Sequence, residues 1–551
     1  MGTTDKSFTI HALGGLGEIG MNCLAVEAEG RLLLVDCGAM FSSEGLGIDL
    51  VHPGFDLLTE RRDDIDGVVL THAHEDHIAG IPFLLRELDI PVYGGTYSHG
   101  LLKEKLDEFD MAPRLVSREL APQNRVDIGP FGVEAFSMPH SIVQNTGLVI
   151  DTPGGRILHT GDFKLELTGP NRGDDVLTRL AVAADGRVDL LLADSTGSEE
   201  EVIAGEEGEV ATALDKLIAS ASGRIFVAIF SSNVRRLQSI VDAASRYGRK
   251  VALCGRSVQT HSRVATNVGE LNLPDESMIA LNKAADIPRN RLLVVVSGTQ
   301  GEARSALGRL SAGSHHMLRI DKDDLVILSS RFIPGNELAI GRVIDRLHRL
   351  GARIVHRGIR SDIHVSGHGS KSEILKAIKA VAPRCFVPVH GTYRHMVACA
   401  SLAREVGVKT IAITADGQST RCDSGGLTIQ ESRAPARRIF IDGGSGLSEN
   451  AIRDRRVLGA HGVLVVTFKL DDDGCIQDEI DIIARGVTQD EALPWLAKQL
   501  RDKVKTLIDE MDLSEQENRE RCPNIIRSAL RRYTSKLISR EPYVLVSILP
   551  A

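Results

Sequence analysis

Apolar positions along this chain fall in short runs that stop at polar or glycine-rich turns. The run Gly67-Val68-Val69-Leu70 reads as a buried strand, and Ile78-Ala79-Gly80-Ile81-Pro82-Phe83-Leu84-Leu85 as the opening of a helix. Between them lies Thr71-His72-Ala73-His74-Glu75-Asp76-His77, so three histidines and an aspartate share one strand-to-helix turn. In extended backbone His72 and His74 point to one face, and the turn carries Asp76 and His77 to a second position nearby. Strands are also predicted at 8–13, 23–26 and 31–38, around the loop Gly14-Gly15-Leu16-Gly17-Glu18-Ile19-Gly20. A strand after that loop, where a dinucleotide fold needs a long helix, argues against the dinucleotide reading.

Other strand ends carry polar groups too. His140 follows the strand in Phe136-Ser137-Met138-Pro139-His140-Ser141, and Asp162 closes Arg156-Ile157-Leu158-His159-Thr160-Gly161-Asp162. Asp194 closes Leu190-Leu191-Leu192-Ala193-Asp194. Functional groups at the carboxyl ends of strands are the usual arrangement in layered α/β proteins.

From about residue 206 the rhythm changes. Helix-like segments at 209–221, 233–246 and 337–351 alternate with apolar strands at 225–229, 251–253, 292–296 and 325–328. This βαβ alternation predicts a doubly wound domain inserted at 206–360. Histidines return in Asp362-Ile363-His364-Val365-Ser366-Gly367-His368-Gly369-Ser370 and in Pro388-Val389-His390-Gly391. The first domain therefore divides into 1–205 and 361–440. After a glycine-rich linker at 441–455, a C-terminal domain is expected at 456–551. Its predicted order is ββααβ: a hairpin of 463–470 and 475–483 around Asp471-Asp472-Asp473-Gly474, two helices opened by capping boxes at Thr488/Glu491 and Ser514/Glu517, and a closing strand at 543–549.

Length and composition narrow the class. A chain of 551 residues needs two to four cores, and 42% hydrophobic with 25% charged residues is globular composition. No apolar run is long enough to span a bilayer, and Met1–Lys6 show no apolar signal region, so a cytoplasmic protein without membrane partners is expected. Cys23, Cys37, Cys254, Cys385, Cys399, Cys422, Cys475 and Cys522 form no C-x-x-C pair and read as neutral thiols. A net charge of −9 argues against a nonspecific nucleic-acid coat but leaves room for a local basic channel.

The strand-end groups His72, His74, Asp76, His77, His140, Asp162 and His390 are too many for one zinc ion and suit two. One ion would take His72, His74 and His140, the other Asp76, His77 and His390, with Asp162 between them. Asp36 reads as a group that orients ligand histidines. Two such ions roughly 3.5–4 Å apart can share a water and clamp a phosphoryl oxygen. A glycine-containing turn before the helix-like 371–381 segment offers backbone N–H groups to a phosphate, with His364 and His368 as further donors. His364 reads equally well as a structural histidine.

His-x-His-x-Asp-His, the later lone His140 and Thr160-Gly161-Asp162 resemble the metallo-β-lactamase fold. Asp194-Ser195-Thr196 resembles motif A of the β-CASP nucleases, His368 motif B and His390 motif C. Together with Leu46-Gly47-Ile48-Asp49, Phe230-Ser231-Ser232-Asn233-Val234, Ser297-Gly298-Thr299-Gln300-Gly301-Glu302 and Ser329-Ser330-Arg331-Phe332-Ile333-Pro334-Gly335-Asn336-Glu337, these motifs resemble the ribonuclease J family across nearly 1–450. The resemblance implies an α/β chain: a metallo-β-lactamase αββα sandwich, an inserted β-CASP doubly wound domain and a small C-terminal α/β domain.

It also implies a ribonuclease acting 5′→3′ on single-stranded, 5′-monophosphorylated RNA and also endonucleolytically. The cofactor would be two Zn²⁺, with Mn²⁺ or Mg²⁺ as alternatives, and there would be a structural Ca²⁺ near Gly47, Asp49 and Asp442. His368 and Asp194 would be catalytic. His364, Val365, Ser366, Gly367, His368, Ser232 and Asn233 would hold RNA phosphates. The implied partners are RNA, further copies in a homodimer or homotetramer, and an RNA-decay complex. The chain departs from the family at Thr392, where glutamate is usual after His-Gly. Arg235-Arg236 read as RNA-groove residues beside Asn233, whereas the arginines at 342–360 and the basic C-terminal segment read as solvated faces. A small-ester hydrolase and a non-catalytic RNA-binding subunit are the competing readings, the first because function lives in the site and not in the fold.

Overall fold

The computed structural model describes residues 7–41, 46–111, 114–165, 173–201, 205–333, 335–430, 436–471 and 474–550. Met1–Lys6, Pro334, Asp472 and Asp473, which figure in the sequence reading, lie outside this set. The chain divides into two units, Met1–Ser43 with Leu50–Ile439, and Glu44–Asp49 with Phe440–Ala551.

In the first unit the short apolar runs pair into two large sheets. One runs in the order Gly426–Gln430, Ser419–Asp423, Phe8–Gly14, Cys23–Ala28, Arg31–Val35, Ile65–Val69, Val92–Gly94, Ser117–Glu119. The other runs Thr410–Ile411, Cys385–Val389, Leu190–Asp194, Gly155–His159, Thr146–Thr152, Phe131–Ser137, Arg125–Ile128. Ile10, Val26, Leu33 and Val69 of the first sheet meet Val133, Leu148, Ile157, Leu192 and Val387 of the second in one core. The alternate residues Leu158, Leu191 and Phe386 pack the other way, with the helices Gly173–Ala184, Lys371–Val381 and Tyr393–Glu405. Leu190–Asp194 is thus buried at every position, which is why its sequence is a continuous apolar run. Truncating Leu191 or Leu192 to alanine would cost about 2–5 kcal/mol.

Strand register sets up the site. Gly155–His159 pairs in parallel with Leu190–Asp194, which pairs in parallel with Cys385–Val389 through Asp194↔Val389. Asp162, Asp194 and His390 therefore emerge from the same edge of one sheet. The helix expected from Ile78 is broken into Glu75–Ile78 and Ile81–Glu87. Gly80 sits against the backbone of Cys37 and Gly38, where a Cβ would collide, and the chain bends there.

The inserted segment is a purely parallel five-stranded sheet: Lys250–Cys254, Leu292–Val296, Ile225–Ala228, Leu325–Leu328, Arg353–His356. Its helices include Glu207–Ser220, Val234–Arg246 and Glu337–Arg349, each within two residues of its expected bounds, and Arg256–Asn267, which has too few apolar positions to announce itself. Glu206 and Glu209 close a capping box that starts the first of these helices early.

The second unit places Val463–Leu470 between Asp481–Arg485, antiparallel, and Tyr543–Pro550, parallel. The expected hairpin forms with an irregular tip: Leu470 bridges Ile476 antiparallel, the Gln477 N–H donates to Lys469 O at 3.1 Å, and regular pairing resumes at Thr467↔Asp481. One expectation for it needs correcting. Neither capping box forms: Gln489 and Glu515 occupy the cap positions without side-chain caps, and Ser514 Oγ bonds Asp512 Oδ1 at 2.6 Å. The 441–455 segment read as a linker carries the pairing Ile441↔Gly446 and the start of the helix Glu449–His461, capped by Ser448. Among the described residues no helix is long and apolar enough to cross a membrane. Seven of the eight cysteines are buried and Cys475 is exposed; all eight are free.

Candidate active site

Asp36 holds the histidine-rich turn in place. Its Oδ1 accepts the Thr71 N–H at 2.8 Å, and its Oδ2 accepts both Thr71 Oγ1 and His77 Nδ1–H at 2.8 Å. The second bond fixes the His77 ring with its Nε2 turned toward a ligand position. Gly38 passes so close to the Asp76 carbonyl that any Cβ would overlap it. Asn22 Nδ2 donates to the same carbonyl at 3.0 Å.

The seven strand-end groups converge. His72, His74, His140 and Asp162 present ligand atoms to one point, and Asp76, His77, Asp162 and His390 to a second. In the first set His74 Nδ1 lies 3.0 Å from His72 Nε2 and 3.2 Å from His140 Nε2. In the second, His390 Nε2 lies 3.1 Å from Asp76 Oδ2 and 3.4 Å from Asp162 Oδ2, and His77 Nε2 3.4 Å from that same Asp162 oxygen. Ligands about 2.0–2.1 Å from a tetrahedral ion are about 3.3 Å from each other, so the spacing fits two divalent cations sharing Asp162. His140 Nδ1–H donates to Gly367 O at 2.7 Å, which turns its Nε2 inward.

Charge agrees with that fit. Burial, with the neighbouring histidines, holds His72 well below the usual histidine range. Burial likewise pushes His74 down to about 4 and His140 well below the usual range. Burial also acts against a proton on His77, but Asp162, Asp76 and Asp36 outweigh it and raise that histidine to about 10. His390 is raised well above its ordinary value against the same burial, mainly by Asp162. The buried Asp162 and Asp194 and the half-buried Asp76 at this edge thus call for compensating positive charge.

Asp194 and His368 complete the site. His368 Nδ1 lies 2.7 Å from Asp194 Oδ2, and the Thr196 N–H donates to Asp194 Oδ1 at 2.9 Å. The His368 ring centroid is 5.0 Å from that of His140 and 5.2 Å from that of His390, one ligand of each set. Thr196 Oγ1 is 2.7 Å from His390 Nδ1, a partner that the sequence reading missed although it sits two residues from Asp194. Thr392 keeps a buried hydroxyl with no hydrogen-bond partner among the described residues.

Three expectations about the phosphate loop change. The backbone N–H groups of His368, Gly369, Ser370 and Lys371 are not open to a phosphate. They are bonded to Ser366 Oγ, Phe163 O, Glu373 Oε2 and Glu200 O at 3.1, 2.6, 2.9 and 3.0 Å, because Ser370 and Glu373 form a capping box. Any anion there meets side chains instead. Asn233 is buried as a helix cap, its Oδ1 accepting the Arg236 N–H at 3.0 Å, whereas Ser232 is half-buried. Arg236 is also buried and is not a groove residue. His364 and Val365 are buried; Ser366, Gly367 and His368 are half-buried.

The residues expected around a structural calcium do not fit one. Arg455 Nη2 donates to Asp442 Oδ2 at 2.6 Å and Arg455 Nη1 to Leu46 O at 3.1 Å, beside Gly47. Asp49 Oδ2 accepts the Gly443 N–H at 2.9 Å. A guanidinium holds the position of a cation, while calcium needs six to eight oxygens turned toward it.

Comparison with known proteins places the chain. Residues 16–217 match the metallo-beta-lactamase superfamily and 222–347 the ribonuclease J beta-CASP domain. Residues 352–413 match a Zn-dependent metallo-hydrolase RNA specificity domain, and 450–551 the ribonuclease J C-terminal domain. The chain is 35% identical to ribonuclease J of Mycolicibacterium smegmatis over 98% of its own length and 97% of that protein's. Against ribonuclease J of Thermus thermophilus the identity is 35%, covering 97% and 93%, and against that of Helicobacter pylori 32%, covering 98% and 79%. A crystal structure of a protein of unknown function from Enterococcus faecalis V583 shares the fold, with a TM-score of 0.54 and 18% identity over 75% of this chain and 99% of the other.

Proposed function

The chain belongs to the ribonuclease J family, and on that footing we propose that it is a metal-dependent ribonuclease. It hydrolyses phosphodiester bonds of single-stranded RNA, 5′→3′ from a 5′-monophosphate and also internally, in RNA maturation and decay. The observation that carries this reading is the pair of ligand sets sharing Asp162, with His368 beside a histidine of each.

The nitrogen-rich donor set favours two Zn²⁺, with Mn²⁺ or Mg²⁺ as alternatives. When bound, the ions supply an activated water and a clamp on the phosphoryl oxygens. The chain's residues do the rest. Asp194 accepts the His368 Nδ1–H and fixes the ring, leaving Nε2 to exchange a proton with the departing 3′-oxygen. Asp36 and Gly367 orient His77 and His140. Ser232, His364, Ser366, Gly367 and His368 receive the RNA backbone, with Val365 packing beneath. The positive charges of Arg331, Arg357 and Lys164, felt at His364, favour a phosphate there.

We further propose a cytoplasmic homodimer or homotetramer, working alone or in an RNA-decay complex. Ile483, Leu545 and Leu549, exposed on the two outer strands of the C-terminal sheet, support self-association.

One digestion tests the reading. End-labelled RNA carrying a 5′-monophosphate should release mononucleotides, and the 5′-triphosphate form should not. Metal-loaded protein that leaves both intact, or a His74→Ala variant as active as the parent, would count against it.

A further inference from the structure

Arg236 is 1% exposed, and the sequence gives no hint of why an arginine should be there. Its Nη2 and Nε donate to Glu207 Oε1 and Oε2 at 2.7 and 3.2 Å. Its Nη1 donates to Ser329 O at 2.8 Å and lies 3.0 Å from His364 Nδ1. Ser329 Oγ donates to Ile363 O at 2.6 Å, so the strand Leu325–Leu328, the helix Val234–Arg246 and the 361–364 turn are tied at one point. Removing one partner of a buried pair is costly, so this contact is held firmly.

A guanidinium has five donors and no acceptor. His364 Nδ1 can therefore meet it only as an acceptor, and the ring's single proton must sit on Nε2. We infer that Arg236 is a positioning residue that locks His364 in the Nε2–H form, so that this histidine offers an RNA phosphate a neutral, pre-aimed N–H donor. The inference rests on the reading above that His364 contacts RNA. The surroundings agree: burial, then the charges of Arg236, Arg357, Arg331 and Lys164, keep His364 well below the ordinary histidine range. Glu207 is the acidic group of this network, and Arg236 neutralises it. A donor without charge binds a phosphate equally across neutral pH and adds nothing to the salt dependence of binding.

The full-length protein with ¹⁵N-labelled histidine tests this by NMR. The His364 ring should show a protonated Nε2 and an unprotonated Nδ1 from pH 5.5 to 8, without titration. In R236Q/E207Q, which removes both charges of the buried pair, the ring should lose its fixed tautomer and divide its proton between Nδ1 and Nε2, while burial and the charges of Arg357, Arg331 and Lys164 still hold it below the ordinary histidine range. KM for 5′-monophosphorylated RNA should rise about tenfold, with kcat little changed. R236K should restore part of the lock. A wild-type His364 that carries its proton on Nδ1, or that titrates between pH 6 and 7, overturns the inference. A locked ring together with a His364→Ala variant of unchanged RNA affinity instead overturns the phosphate contact on which its role depends.

Discussion

His368 Nδ1 and Asp194 Oδ2 lie 2.7 Å apart although 174 residues separate them in the chain. A carboxylate at that nitrogen dictates where the ring's other proton position faces. Removing the imidazole as His368→Ala should lower turnover about 10²–10⁴-fold while leaving bound metal in place. Asp194→Asn should lower it comparably by disturbing the ring's proton arrangement. RNA with a bridging 3′-sulfur at the scissile bond has a leaving group that needs no proton. It should recover most of the His368→Ala loss, and failure to recover would assign His368 to binding alone.

The two ligand sets differ in what each variant should remove. His74→Ala should empty one position and His390→Ala the other. Asp162→Asn, shared by both sets, should lower the affinity for both ions. Elemental analysis after dialysis would show about one ion per chain for the first two variants. Equal occupancy in His390→Ala and the parent would contradict the split.

Arg455 bonds Asp442 and the Leu46 carbonyl where a calcium ion was expected. Added CaCl₂ should leave the thermal midpoint of the zinc-loaded protein unchanged. Arg455→Met should lower it by about 2–4 °C per kcal/mol lost. Calcium retained through dialysis against a calcium-selective chelator would show that the loop binds the ion after all.

His52 lies stacked between Phe55 and Phe83 at centroid distances of 4.9 and 4.8 Å, and its Nδ1 donates to Pro53 O at 2.8 Å. Burial pushes its pKa down to about 4. The unfolded chain binds this proton near pH 6.5 and the folded chain only near 4. Its share of stability is therefore intact above pH 6.5 and lost as the pH falls from 6.5 toward 4. Denaturant midpoints of His52→Phe should fall less steeply than the parent's over that window. Parallel slopes would show that His52 stays accessible to protons.

The candidate metal-binding groups are legible in the sequence because each sits at the end of an apolar run, and strand ends are where layered α/β sheets converge. Asp36 was legible for the same reason. The bonding around the phosphate loop was not. Whether the N–H groups of Gly369 and Ser370 are open depends on Phe163 O and on the Glu373 carboxylate, and only folding brings those together with the loop. Arg236 was misread because a basic pair beside a strand-to-helix turn resembles a phosphate grip, and its partners Glu207, Ser329 and His364 are distant in sequence. The expected Ser514/Glu517 box does not form because the Ser514 hydroxyl bonds Asp512 Oδ1 instead of capping a helix.

The strand Cys385–Val389 has a consequence for how the protein is made. It lies against Leu190–Asp194, and His390 reaches Asp76 across 314 residues of chain. A ribosome that has synthesised the first three hundred residues has therefore produced a nuclease that cannot yet cut. The edge of Leu190–Asp194 that will take Cys385–Val389 waits unpaired while the inserted parallel sheet folds. Destructive power toward RNA, including the message being read, is withheld until the chain through His390 has been made and has folded back.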